Sequence, residues 1–421
     1  MRILVVGKGG REHALLRAFA ASPSKPELFC HPGSDAIGEI STRVEAADLS
    51  ALVDWMSHHA IDLCVAGEES CLVEGVGLAN LCQSAGIPCW GPPKESAQLE
   101  ASKSFAKEFM LRHGIPTGTS SVVHSVDEGI NAIGNRYPTV LKFDGLAAGK
   151  GVAVCRDAAS ARSFLEEVFE HRRFGEGSVL VEEFLEGPEL SLIAAVVDDR
   201  SLAFVPARDY KRALNDDLGP NTGGMGAVAS RHLVDVSTLV RIEREIIGPT
   251  VMGLVADDLP YRGFLYFGLM LTASGPKVIE YNCRFGDPEC QAVMPLVHGD
   301  LARFCLDGAK GSLDAHRISF SDDWSVCIVL ASAGYPASSR SGDAISGIDQ
   351  AIGANVIHSG TRRRRDGGWE THGGRVLAVV STAATRAAAV SAGHTVADQI
   401  RFDGLQRRHD IGILHFEHDP V

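Results

Sequence analysis

Two kinds of pattern alternate along the first hundred residues. "RILVVG" (2–7) is an unbroken apolar run of the kind buried on both faces of a sheet, and "GREHALLRAFAAS" places its apolar residues at helical spacing. The alternation continues through "ELFCHPG", "LSALVDWMSHHA", "IDLCVAG", a helix near 72–86 and the strand "PCWG". It predicts a parallel sheet with helices on its faces, and ligands of such sheets bind at the carboxyl ends of the strands. Those ends carry "GKGGRE" (7–12), "HPGSDA" (31–36) and "GEES" (67–70).

"GPPKES" (91–96) breaks this pattern and reads as a domain boundary. A helix over 96–113 is expected next, then a helix near 126–135, strands at 138–143 and 151–155, a helix near 158–171 and the strand "SVLVEEFL". Residues 189–207 alternate apolar and polar, as antiparallel strands do. A polar, glycine-rich stretch at 208–227 precedes a helix over 235–257 and the strands "GFLYFGLMLTA" and "PKVIEYNCRF". From "WSVCIVLAS", near 324, a third module reads as strand-rich to the end. The fold class is α/β: a Rossmann-like parallel-sheet domain, a central domain and a strand-rich α+β domain.

Composition narrows the function more than the fold. The chain has 421 residues, 45% hydrophobic and 22% charged, as a soluble globular protein does. No apolar run approaches the roughly 18 residues of a membrane span, so no membrane partner is expected. The start "MRILVVGKGG" reads as a strand rather than a leader, so cytoplasmic residence is expected. A net charge of −13 excludes sequence-independent nucleic-acid binding, which needs a basic field. The ten cysteines form no C-x-x-C pair and read as buried, reduced thiols. "RRRR" (362–365) reads as a solvated tip between strands.

"LKFDGLAAGKGVAV" (141–154) looks like a phosphate loop but fails the P-loop template. Asp144 stands five residues before Gly149, and Gly151 follows Lys150. Glycines at 145, 149 and 151 would let backbone N–H groups wrap phosphate oxygens, with Lys142 as a point charge. About 40 residues on, "VLVEEFLEGPELS" groups Glu182, Glu183, Glu186 and Glu189 around a turn. In "KVIEYNCRFGDPE", Glu280 and Asn282 share one strand face, and Arg284 continues it. A carboxylate and an amide oxygen side by side suit Mg²⁺.

In this order the segments resemble the ATP-grasp superfamily. "GKGGREHAL", "QLEASKSFAK", "LKFDGLAAGKGV", "VEEFLEG", "GPNTGGMGA" and "VIEYNCRFGDPE" are similar, more closely, to the glycinamide ribonucleotide synthetase family, and the likeness runs through "GGRVLAVV" to "RHDIG". The resemblance implies ligation of glycine to phosphoribosylamine through glycyl phosphate, with ATP and Mg²⁺ or Mn²⁺, in purine biosynthesis. It implies domains at 1–102, 103–323 (with a lid at about 118–190) and 324–421, in a monomer whose partners are small molecules.

By the same resemblance, Lys103 and Lys142 would contact ATP phosphates under the loop Asp144, Gly145, Gly149, Lys150 and Gly151. Glu182, Glu183, Phe184 and Leu185 would line the adenine edge, and Glu189 the ribose. Glu280 and Asn282 would hold the metal, and Arg284 the γ-phosphate or acyl phosphate. Asp209 with Asn221, Thr222, Gly223 and Gly224 would hold glycine. Gly9, Gly10, Arg11, Pro32, Gly33 and Glu69 would receive the sugar phosphate.

Three segments depart from that family's pattern: "RDYKR" stands for Q-D-H-K-R, "PGSDA" for P-G-N-A-G and "GEE" for G-P-E. Another ATP-grasp carboxylate–amine ligase would share the lid but not "GPNTGGMGA". A dinucleotide-dependent oxidoreductase fits less well, because Glu12 occupies the last glycine position of G-x-G-x-x-G and "FCHPG" ends without an acidic residue.

Overall fold

In the computed structural model, which describes residues 1–145, 151–350 and 355–413, the first domain is a five-stranded parallel sheet. Its first strand, Arg2–Gly7, lies centrally between Glu27–Pro32 and Leu63–Ala66, in parallel register with both. Leu4 and Val6 enter one hydrophobic cluster while Ile3 and Val5 enter another, as the unbroken apolar run requires.

A four-stranded antiparallel sheet follows, ordered Ser120–Val123, Val179–Glu183, Thr139–Phe143, Val152–Cys155. Helices Val126–Ile133 and Ala158–Phe169 cover it and close a separate core around Leu141, Leu165 and Val181.

The third sheet is the largest. Its nine strands run Gly275–Asn282, Arg262–Thr272, Glu189–Val197, Ala207–Asp209, Gly226–Ala229, Trp324–Ala331, Arg375–Ala383 and Asn355–His358, with Arg200–Ala203 paired alongside Glu189–Val197. Gly226–Ala229 pairs directly with Trp324–Ala331, so one sheet spans the central and third modules. Along Glu189–Val197, Leu190, Leu192, Ala194 and Val196 pack into one core and Ile193, Ala195 and Val197 into the other.

The structure redraws four details. The helix expected over 96–113 is broken at Ser102, which adopts extended backbone and caps Lys103–Arg112 by accepting from Phe105 N at 3.1 Å. The helix expected over 235–257 widens into a π turn at Glu243–Ile247, just before Pro249, whose missing N–H breaks the regular ladder. The third module contains the helix Arg386–Ala397, packed on Trp324–Ala331 and Arg375–Ala383; its alanine-rich face carries little apolar contrast. Arg362 and Arg363 lie in a strand rather than a loop tip, and Arg363 stacks over Trp369 at 3.9 Å while pairing with Glu39 of the first domain. Among the described residues, no helix is long and apolar enough to cross a membrane.

Candidate active site

The strand Gly275–Asn282 turns Glu280, Asn282 and, just past its end, Arg284 into one cleft, while Tyr281 and Cys283 are buried between them. The register with Arg262–Thr272 slips at Gly268, so Ile279 is an extra residue on its strand. The slip presents the Ile279 carbonyl to Lys142, whose Nζ donates to it at 2.9 Å. Gly268 is needed there, because a Cβ would lie 2.9 Å from the Glu280 side chain.

Lys103, Lys142, Glu182, Gly145 and Gly151 line the same cleft, joined by Glu69, Glu100 and Lys107. Lys142 reaches Glu182 at 2.9 Å, and Lys107 approaches the other oxygen of that carboxylate at 3.6 Å. Burial lowers Lys107 to about 8 despite Glu182, and burial lowers Lys103 despite Glu280. Lys103 Nζ donates to Gly145 O at 2.8 Å, tying the glycine loop's first residue to the helix start. Asp144 is occupied at that start, accepting from Lys103 N at 2.6 Å, from Ser104 N at 3.2 Å and from the Ser104 hydroxyl. Gly149 and Lys150 lie outside the described residues.

Arg284 is held from two domains. Glu69 meets its Nε at 3.2 Å, Glu100 its Nη2 at 2.8 Å, and Nη2 also donates to Asn282 Oδ1 at 3.3 Å. Burial pushes Glu69 up, yet Arg284 and Arg11 bring it down to about 2. Arg11 approaches Glu69 at 3.6 Å and pairs with Glu12, whose other oxygen accepts from Gly9 N at 2.7 Å. Gly10 lies so close to Ser359 that a Cβ would meet its hydroxyl at 2.3 Å. Gly33, at φ +64°, follows Pro32 and donates to Gly7 O at 3.2 Å, closing the strand ends around Gly9–Arg11. The sugar-phosphate candidates therefore adjoin the cleft through Glu69.

Glu280 makes no hydrogen bond or ion pair among the described residues, although it lines the cleft beside Asn282 and near Lys103. An unpartnered carboxylate beside an amide oxygen fits a hard divalent cation, which takes oxygen ligands. Glu183 instead faces outward and accepts from Thr119 N at 3.0 Å, with Phe184 and Leu185 half-buried after it. Glu189 pairs with Lys211 at 2.6 Å, and that ammonium holds its carboxyl low.

Asp209 ends the strand Ala207–Asp209 with no ion pair among the described residues. Burial raises it to about 8; Lys211 opposes the rise, while Glu289, Glu189 and Glu280 add to it. The segment 221–224 folds back on this strand, with Thr222 N and Oγ1 both donating to Lys211 O at 2.8 Å. Tyr210, at the family's histidine position, points away from Asp209. Its hydroxyl donates to Ile413 O and accepts from Gly412 N, each at 3.0 Å, and Arg408 lies over its ring at 5.0 Å. The replacement therefore faces the third module.

Gly224 has φ +107°, and a Cβ there would sit 2.4 Å from Pro288 Cδ. Gly224→Ala should destabilise the protein by more than about 1 kcal/mol and raise the glycine KM more than the ATP KM. Thermal unfolding and steady-state kinetics together check this, and unchanged values in both would show that the loop tolerates the methyl group.

Glu100 and Lys107 are site residues that the sequence reading missed. Their signal is "QLEASKSFAK" itself, in which Glu100, Lys103 and Lys107 follow at helical spacing across the Ser102 cap.

Comparisons with known proteins bear on these residues. Models of phosphoribosylglycinamide synthetase match the chain in three parts: the N domain at 1–100, the ATP-grasp (A) domain at 101–290 and the C domain at 325–414. The chain is similar to the phosphoribosylamine–glycine ligase of Vibrio parahaemolyticus (39% identity over 422 residues, covering 98% of each chain). It is also similar to that of Caulobacter vibrioides (41% over 420 residues, again 98% of each). Among solved structures, phosphoribosylamine–glycine ligase from Thermotoga maritima superposes with a TM-score of 0.85 at 31% identity, covering 97% of this chain and 100% of that one. A biotin carboxylase–β,γ-ATP complex from Campylobacter jejuni shares the fold at TM-score 0.73 and 16% identity, covering 98% and 94%.

Proposed function

The chain belongs to the phosphoribosylglycinamide synthetase family, and from that premise we propose that it joins glycine to 5-phosphoribosylamine in de novo purine biosynthesis. ATP becomes ADP and phosphate, and glycyl phosphate is the intermediate. One observation carries the reading: Lys103, Lys142, Glu280, Asn282, Arg284 and Glu69 line a single cleft although they come from distant parts of the chain.

A carboxylate is a poor acyl donor, so glycine is first phosphorylated. Lys103 and Lys142 would hold the ATP phosphates, and Arg284 would meet charge on the phosphoryl group as it moves. Glu280 and Asn282 would hold the divalent ion, magnesium or manganese, which when bound supplies further positive charge there. For nucleotide to bind, Glu182 must share Lys142 with phosphate, and Glu189 must exchange Lys211 for the ribose hydroxyls. Asp209 would hold the glycine ammonium beside Thr222–Gly224. The 1-amino group of phosphoribosylamine then attacks the acyl carbon and expels phosphate, with the sugar phosphate held near Gly9–Arg11, Pro32–Gly33 and Glu69. Small molecules are the partners, in a cytoplasmic monomer.

The test is phosphate release from ATP with phosphoribosylamine and a panel of amino acids. Glycine-dependent release is expected. Release indifferent to glycine, or nicotinamide turnover without ATP consumption, would overturn the reading.

The sheet 120–183, with its own small core, would serve as the lid of the 118–190 segment and keep water from the acyl phosphate. Hydrogen exchange should slow in the strands Thr139–Phe143 and Val152–Cys155 when a non-hydrolysable ATP analogue is added. Equal exchange with and without nucleotide would remove the lid role.

A further inference from the structure

Outside the cleft, the fold assembles a second group of reactive side chains. Cys64 on the strand Leu63–Ala66 and Cys89 on Cys89–Trp90 are direct neighbours in parallel register. Cys82, on the helix Leu78–Ser84 packed across both strands, completes a triangle of sulfurs within 4.8 Å of one another. Cys64 and Cys82 are fully buried, and Cys89 is half-buried. Leu52, Leu78 and Ile87 belong to the core around them.

We propose that Cys64, Cys82 and Cys89 form a three-thiol site for a trivalent metalloid of the arsenite class. Charge and ligand number select this class. Zinc in a closed structural site takes four ligands, and among the described residues no fourth His, Cys, Asp or Glu joins the group. Three thiolates around Zn²⁺ would also bury a net negative charge, and around Cu⁺ a larger one, in an apolar core where unpaired charge is costly.

Arsenous acid avoids both problems. In As(OH)₃ + 3 RSH → As(SR)₃ + 3 H₂O, three As–O bonds break and three As–S bonds form. Each thiol proton leaves with a hydroxyl group as water, no electrons are transferred, and the product is neutral. Cys89, the least buried of the three residues, is where capture would begin.

The experiment treats the full chain with sodium arsenite and reads intact mass and iodoacetamide labelling. The expected result is one arsenic per chain with three hydrogens lost, and protection of Cys89 from alkylation. Cys89→Ser should weaken arsenite binding by at least about tenfold, as should Cys64→Ser and Cys82→Ser. Cys155→Ser, in the separate 120–183 sheet, should bind as the native chain does. Phenylarsine oxide, which condenses with only two thiols, should still bind the Cys89→Ser variant. If a buried substitution fails to fold, Cys89→Ser and the native-chain mass measurement still decide the matter. No mass gain, a gain with fewer than three hydrogens lost, or arsenite binding by Cys64→Ser, Cys82→Ser and Cys89→Ser as tight as that of the native chain would overturn the proposal.

Discussion

Glu280→Ala is expected to lower turnover by roughly 100- to 1000-fold, the cost of losing one preorganised electrostatic element in a phosphoryl-transfer site. The same variant should raise the magnesium concentration needed for half-maximal rate. The structure makes this a clean substitution, because the Glu280 carboxylate has no hydrogen-bond or ion-pair partner among the described residues to leave behind. Thermal stability should therefore stay close to that of the native chain. Arg284 is the contrasting case: removing it would strand the buried Glu100, which pairs with it at 2.8 Å, and stability would fall along with rate. Initial rates titrated with magnesium decide the first point. An unchanged half-saturation value in Glu280→Ala would sink the metal assignment, whatever happened to turnover.

Asp209→Asn should weaken glycine binding at pH 8 by roughly 10- to 150-fold, the worth of a charged hydrogen bond of about 1.5–3 kcal/mol. ATP affinity should change little. The raised pKa adds a second signature. Below about 8 the empty site holds a proton that must leave before the carboxylate can meet an ammonium group. Apparent glycine affinity should therefore rise with pH up to about 8 in the native chain and lose that slope in the variant. Stability should move the other way. An acid whose folded pKa lies above its ordinary 3.8 binds more protons when folded, so native stability declines as pH rises from about 4 to about 8. Asparagine removes this decline, and the two melting-temperature curves should separate progressively over that range. A glycine KM that is unmoved, or one that rises in step with the ATP KM, would show that Asp209 is not the amine anchor.

What the sequence made legible follows from the range of each signal. The face shared by Glu280, Asn282 and Arg284 was readable because strand periodicity is local, and the structure puts all three in one cleft. The bond between Arg284 and Glu69 was not, because 215 residues separate them and only the packing of two domains brings them together. Asp144 looked like part of a phosphate loop; its capping of Lys103–Arg112 depends on a helix start 41 residues away. The Ser102 break hid inside a run of helical spacing, where a serine is an unobtrusive cap. Cys64, Cys82 and Cys89 follow no metal-ligand spacing, and their convergence comes from two neighbouring strands and the helix laid across them. The helix Arg386–Ala397 escaped notice because alanine marks neither a core face nor a solvent face.

The largest sheet also sets a schedule for synthesis. Its strand Gly226–Ala229 has Ala207–Asp209 on one side, but the partner on its other side, Trp324–Ala331, is translated about 95 residues later. At roughly 5–20 residues per second, that leaves a hydrogen-bonding edge uncapped for about 5–20 s on each nascent chain. An open, apolar edge invites pairing with other chains. A ribosome that stalls between 230 and 323 would thus release a fragment prone to aggregate, and a faster passage through that stretch would shorten the vulnerable interval.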